Sequence, residues 1–138
     1  MKHEVVTTWT GDMSFEALVS GHTIRMDAAA EFGGKDSGAR PKTLLLASVA
    51  GCSGMDVISL LRKMRQPFTW FDIKVEGELT AEQPTYYKSM EVVYRFKEAD
   101  GLDRALVEKA VSLSQERYCG VSALFKLAIP LTWRIEYL

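Results

Sequence analysis

Apolar and polar residues alternate from about His3 to Thr10, with Val5 and Trp9 on one side, which is the period of a strand. Phe15 to Val19 and His22 to Asp27 carry two further strand patterns. Ser20-Gly21 between them predicts a tight hairpin, because glycine tolerates the positive φ that such turns need. The next stretch, AAEFGGKDSGARPK, reads as a loop from its glycines together with Asp36, Ser37 and Pro41.

The character changes at Lys42. The run KTLLLASVAGCSGMDVISLLRKMRQ lacks proline and predicts a helix of about 37 Å. Pro41 suits its start, and Arg62, Lys63 and Arg65 suit its C-terminal end, where the helix dipole favours cations. Between Leu44 and Leu61 almost every face is apolar or small. A helix of that kind needs cover on all sides, more than one short domain supplies, so a second copy of the chain is expected over part of it.

Beyond the helix, Phe71, Ile73, Val75 and Leu79 alternate with Asp72, Lys74, Glu76 and Glu78, as in a half-buried strand. AEQPTYY predicts a turn, and Met90, Val92, Tyr94 and Phe96 mark the partner strand. Asp103 is a good N-cap for a helix carrying Leu106, Ala110, Val111 and Leu113. That helix should break near Tyr118-Cys119-Gly120, and VSALFKLA should form a short helix that Pro130 stops. Leu131, Trp133, Ile135 and Tyr137 alternate with polar residues as a closing strand. Strands and helices come in blocks rather than singly, which favours an α+β fold with antiparallel sheet over a doubly wound one. No repeat or linker interrupts the chain, so residues 1–138 are read as a single domain.

Charge then narrows the partners. Lys+Arg number 17 against Asp+Glu 18, a balance that gives no footprint for nucleic acid or for an anionic membrane. No apolar run is read as long enough to span a bilayer, and MKHEVVTTWTG lacks the apolar core of a secretion signal. The expected location is the cytoplasm, where the two cysteines are reduced by default. The cysteines form no CxxC, and with two histidines there is no metal cluster to read; no cofactor is expected.

Both cysteines admit two readings. Cys52 lies mid-helix between Gly51 and Ser53-Gly54, so it is either a reactive thiol that something approaches closely or a small buried hydrophobe. Cys119 either opens a helix whose amides stabilise a thiolate or is a core cysteine beside Tyr118. Asp56, one turn after Cys52, would oppose its ionisation if the two lie close. His3 and His22 have no partners at catalytic spacing and read as ordinary strand residues.

The segments GARPKTLLLASVAGCSGMDVISLLRKMRQ and AVSLSQERYCGVSALFK resemble the two cysteine-bearing helical segments of the OsmC/Ohr family of thiol-dependent peroxide reductases. The resemblance implies an intertwined homodimer, with antiparallel sheets wrapped around long central helices and the sites at the subunit interface. It implies reduction of organic hydroperoxides, with Cys52 as the peroxidatic thiol, Cys119 as the resolving thiol and an external dithiol as reductant. Active members also place an arginine early in the chain and a glutamate ten positions before the first cysteine. Here Lys42 stands at the latter position, and WTGDMSF offers no arginine. Arg25, Arg40 or Lys42 could supply the charge instead, with Arg40 the first candidate and Arg25 the second. A non-catalytic small-molecule-binding or redox-sensing protein of the same family is the alternative function.

Overall fold

In the computed structural model, which describes residues Met1–Leu138, the strands β1 (Val6–Trp9), β2 (Phe15–Val19) and β3 (His22–Met26) form one antiparallel sheet in that order. Ser20 and Gly21 both have positive φ, 51° and 82°, as a two-residue hairpin turn requires. The register sets Trp9 beside Phe15 and Phe15 beside Met26, so these three share a face. After β3 the loop is organised around Asp27. Its carboxylate accepts hydrogen bonds from the amides of Ala28, Lys35 and Ser37 and from the Ser37 hydroxyl. Gly34 is required inside this loop, since a Cβ there would stand 1.9 Å from the Ala28 carbonyl oxygen.

By compactness the chain divides into two units, Met1–Leu45 and Leu46–Leu138. The helix α1 (Pro41–Lys63) begins at the end of the first and continues through the second. Pro41 is its first residue and Arg62 and Lys63 occupy its last turn, as the sequence predicted. Arg65, in the left-handed region at φ 55°, ends it, with the Gln66 amide reaching back to the Leu61 carbonyl.

Within the chain the helix buries one stripe, Val49, Ser53, Gly54, Val57 and Leu61, and leaves the rest of its circumference uncovered, as expected of a helix that one short chain cannot cover. By length and composition it is also apolar enough to cross a membrane, contrary to the reading of the sequence: its most apolar 18-residue window has mean hydropathy 1.8 and is 28% buried. Small residues explain the misjudgement, because Ala, Ser and Gly between the leucines leave the mean hydropathy high without a continuous aliphatic run. Ser53, buried, and Asp56, half-buried, are hydrogen-bonded inside the protein.

The second unit pairs β4 (Phe71–Leu79) with β5 (Tyr87–Phe96) antiparallel and β5 with β6 (Leu131–Tyr137) parallel, in the order β4-β5-β6. The α+β class stands, but this sheet is mixed rather than antiparallel. A parallel pair needs a crossover long enough to return the chain to the same end. That crossover is α2 (Arg104–Leu113), a π-helical turn (Ser114–Tyr118) and α3 (Gly120–Lys126). Asp103 caps α2 as predicted, accepting from the amides of Ala105 and Leu106. One face of the sheet carries Ile73, Val92, Tyr94 and Phe96, which join Val49, Val57 and Leu61 of α1 and Val107 and Val111 of α2 in one core.

Candidate functional site

The break between α2 and α3 is what positions the second cysteine. At Ser114 the chain leaves the α-helical ladder for a π-turn, closed by a hydrogen bond from the Cys119 amide to the Ser114 carbonyl at 2.8 Å. Such turns add a residue to the coil and occur often at functional sites. Cys119 then leaves the helix (φ −74°, ψ 98°) and becomes the N-cap of α3, its sulfur accepting from the Ser122 amide at 3.3 Å. The expectation that Cys119 opens the following helix holds. Its side chain is buried, whereas Cys52 is half-buried.

Cys52 comes from the middle of α1, and Cys119, the Val121 amide and Asp56 are the groups that bear on its thiol. Burial pushes the Cys52 thiol above its ordinary value; the Val121 amide opposes that shift, while Cys119 and Asp56 add to it. Asp56 acts in the direction expected from the sequence. None of these groups is a cation.

Arg40 lies in the loop of the first unit. Its guanidinium is held 2.7 Å from the Asp36 carboxylate and donates to the Gly38 carbonyl at 2.9 Å. Arg25 is engaged in the same way, with Glu16 at 3.0 Å and with the Ser37 hydroxyl. Both candidate cations thus already have anionic partners close by in sequence or on a neighbouring strand.

The two glycines flanking Cys52 differ. A Cβ on Gly54 would lie 3.0 Å from Ile73 Cδ1, so β4 does approach the helix there. A Cβ on Gly51 would meet nothing within 4 Å. Close approach explains Gly54 alone within one chain.

The sequence reading missed a buried set of polar groups beside the thiols. Ser53 and Ser114 place their hydroxyl oxygens 2.8 Å apart, and Ser53 lies 2.5 Å from the Tyr94 hydroxyl. Gln115 Nε2 donates to Tyr94 at 2.6 Å, and Ser114 donates to Asp56 Oδ2 at 3.0 Å. Ser53, Tyr94 and Ser114 are fully buried and Gln115 nearly so. The signal was present in part: Tyr94 is the one residue with a hydroxyl on the inward-facing side of its strand among Met90, Val92 and Phe96. Its serine partners carried no mark in the pattern.

A helix-borne cysteine packed on a mixed sheet, with a second cysteine delivered by a broken helix, defines a class. The sequence profile described as OsmC-like protein matches residues 34–134, and the chain belongs to that family. It is 32% identical to Protein YhfA of Escherichia coli K12 over 129 residues, covering 93% of this chain and 92% of YhfA. A hypothetical protein from Aquifex aeolicus superposes with a TM-score of 0.82 at 29% identity, covering 100% of this chain and 99% of the other. The organic hydroperoxide resistance protein OhrB of Bacillus subtilis shares the fold, with a TM-score of 0.67 at 16% identity and 98% coverage of both chains.

Proposed function

We propose that the chain is a thiol-dependent hydroperoxide reductase with a role in oxidative stress, acting through Cys52 and Cys119. The observation that carries this reading is a pair of free thiols, one from the middle of α1 and one at the N-cap of α3, that act on one another electrostatically. The hydroperoxide-resistance name of its Bacillus fold relative points the same way.

In the proposed reaction the Cys52 thiolate attacks one peroxide oxygen. The S–O bond forms, the O–O bond breaks, and the alkoxide takes a proton to leave as an alcohol. Cys119, as thiolate, then attacks the Cys52 sulfenic acid; the S–S bond forms and hydroxide leaves, protonated to water. An external dithiol returns the two electrons and restores both thiols.

The reading includes a homodimer in the cytoplasm. Support for the second copy comes from the exposed apolar side chains of α1, such as Met55, and from β1 and β2, where Trp9 and Leu18 are more than half exposed. Arg40 is the candidate activating cation, and acting so requires it to exchange Asp36 for the thiolate. One feature favours the alternative of a non-catalytic binding or redox-sensing protein: burial, Cys119 and Asp56 raise the Cys52 thiol against the single opposing Val121 amide, and no cation is among the groups that act on it.

The deciding experiment is stopped-flow turnover of cumene hydroperoxide with a dithiol in excess, for wild type and Cys52→Ser. Saturable consumption of peroxide by wild type and none by the variant is expected. Equal, slow consumption by both would leave the binding or sensing alternative standing.

A further inference from the structure

The buried polar groups beside the thiols form a chain with one direction. A neutral hydroxyl donates one hydrogen bond, and an ionised carboxylate only accepts. Asp56 therefore accepts from Ser114, whose proton is then committed. Ser53 must donate to Ser114, and Tyr94 must donate to Ser53, with Gln115 Nε2 donating to Tyr94 at the head. The Ser114 hydroxyl also reaches the Ser53 carbonyl at 3.4 Å, a second tie to α1. The chain ties α1 at Ser53 and Asp56, β5 at Tyr94 and the π-turn at Ser114 and Gln115 into a single unit.

A continuous chain of hydrogen-bonded hydroxyls in an apolar core fixes geometry, because slippage strands buried donors and acceptors; only Gln115 Oε1, at its head, is without a partner. What it fixes here is the segment carrying Cys119. Ser114 holds both ends of that turn: its side chain is bound to α1, and its carbonyl accepts the Cys119 amide at 2.8 Å. Lys126 of α3 fastens the far side, donating to the Gln115 carbonyl at 2.7 Å. Nothing in this arrangement touches a peroxide, so its residues act through Cys119.

We propose that Ser114 and Tyr94, acting through Ser53, are positioning residues that hold Cys119 against Cys52 so that the pair closes to a disulfide. This rests on the thiol-pair chemistry proposed above, but its test needs no peroxide.

The test equilibrates the protein with mixtures of reduced and oxidised glutathione and follows the fraction oxidised by acid quench and mass. In that exchange one oxidised glutathione takes up the protein's two electrons and yields two reduced glutathiones. The ratio at half-oxidation gives the effective concentration of one thiol for the other. Ser114→Ala and Tyr94→Phe should each lower it about tenfold or more, within the range of coupling between residues of one buried network. Val107→Ala, a core truncation in α2 outside the chain of hydroxyls, is the control for destabilisation alone. It should leave the effective concentration unchanged although its melting temperature falls. Tyr94→Phe removes one oxygen and serves if Ser114→Ala does not fold. An unchanged ratio in folded Tyr94→Phe, or an equal fall in Val107→Ala, would overturn the positioning role. A wild type that forms only mixed disulfides with glutathione would instead overturn the thiol-pair reading on which it rests.

Discussion

Ser53 and Ser114, 61 positions apart in sequence, share a hydrogen bond of 2.8 Å, and each is close in sequence to one of the two cysteines. That bond brings the α1 segment and the π-turn segment together, and with them Cys52 and Cys119. The consequence for chemistry is an ordered reaction. Cys119→Ser should still reduce one equivalent of hydroperoxide and then stop at the Cys52 sulfenic acid, seen by dimedone labelling and mass. Cys52→Ser should give no label at all. Wild type should pass through the labelled state too fast to trap and end two hydrogens lighter. Dimedone labelling on Cys119 rather than Cys52 would reverse the assigned roles.

The pH dependence follows from the groups around Cys52. Burial, Cys119 and Asp56 all raise its thiol pKa, so alkylation by iodoacetamide should set in at higher pH than for a free thiol. Asp56→Asn removes a negative charge while leaving an oxygen for Ser114 to donate to, and it should move the profile back toward the free value. Because the folded thiol binds its proton more tightly than the unfolded one, its contribution to stability is complete below the free-thiol pKa and is lost as pH rises through the folded value. Arg40→Ala addresses the cation in the same assay: a further upward shift would bring Arg40 into the site, and an unchanged profile would remove it.

Asp27 titrates in the opposite sense. The Ser37 hydroxyl and amide, foremost, hold its carboxyl far below the usual carboxylate range, with the Ala28 and Lys35 amides adding to the effect. Its contribution is therefore present above the ordinary carboxylate pKa and is lost only as pH falls through the depressed folded value. Asp27→Asn should abolish that protection at neutral pH, since an amide offers one acceptor oxygen where the carboxylate has two. Hydrogen exchange at the Lys35 and Ser37 amides reads it directly, with faster exchange expected in the variant and no change at the Phe15 or Ile24 amides of the sheet. Uniform acceleration across the first unit would mean that Asp27 supports the whole sheet rather than the loop.

The legibility of these features in the sequence divides along a physical line. Local signals survived well: the Ser20-Gly21 turn, the Asp103 cap, the Pro41 start and the break at Cys119 depend on one or two residues and their own backbone. The parallel run of β6 was not legible, because the same alternation of Leu131, Trp133 and Ile135 serves either direction of pairing. The thiol pair was readable only through resemblance. Its hydroxyl chain was not, since Ser53 and Ser114 look like spacers until long-range packing sets them face to face. The engagement of Arg40 with Asp36 was hidden for a similar reason. The i,i+4 spacing that pairs them lies in a loop, where spacing alone predicts no contact.

Two glycines separate folding of the chain from its assembly. Gly77 sits in β4 where a Cβ would come 2.5 Å from the Tyr87 ring and 3.0 Å from Leu46, so Gly77→Ala should overpack the second unit. A cost of about 1–3 kcal/mol is expected, read as a lower midpoint in urea. Gly51 meets nothing within 4 Å, although it adjoins Cys52 in a helix whose most apolar window is 28% buried. Within one chain, Gly51→Ala should stabilise α1 by up to about 1 kcal/mol, the ordinary helical preference. If a second copy packs its backbone or side chains against that bare position, the added methyl instead obstructs the interface. Sedimentation equilibrium should then find wild type dimeric and Gly51→Ala shifted toward monomer, with the variant monomer no less stable than the wild-type chain. A wild type that sediments as a monomer would remove the second copy from the proposal. A dimer indifferent to Gly51→Ala would keep the second copy but place its contact elsewhere on the exposed side of α1, such as around Met55.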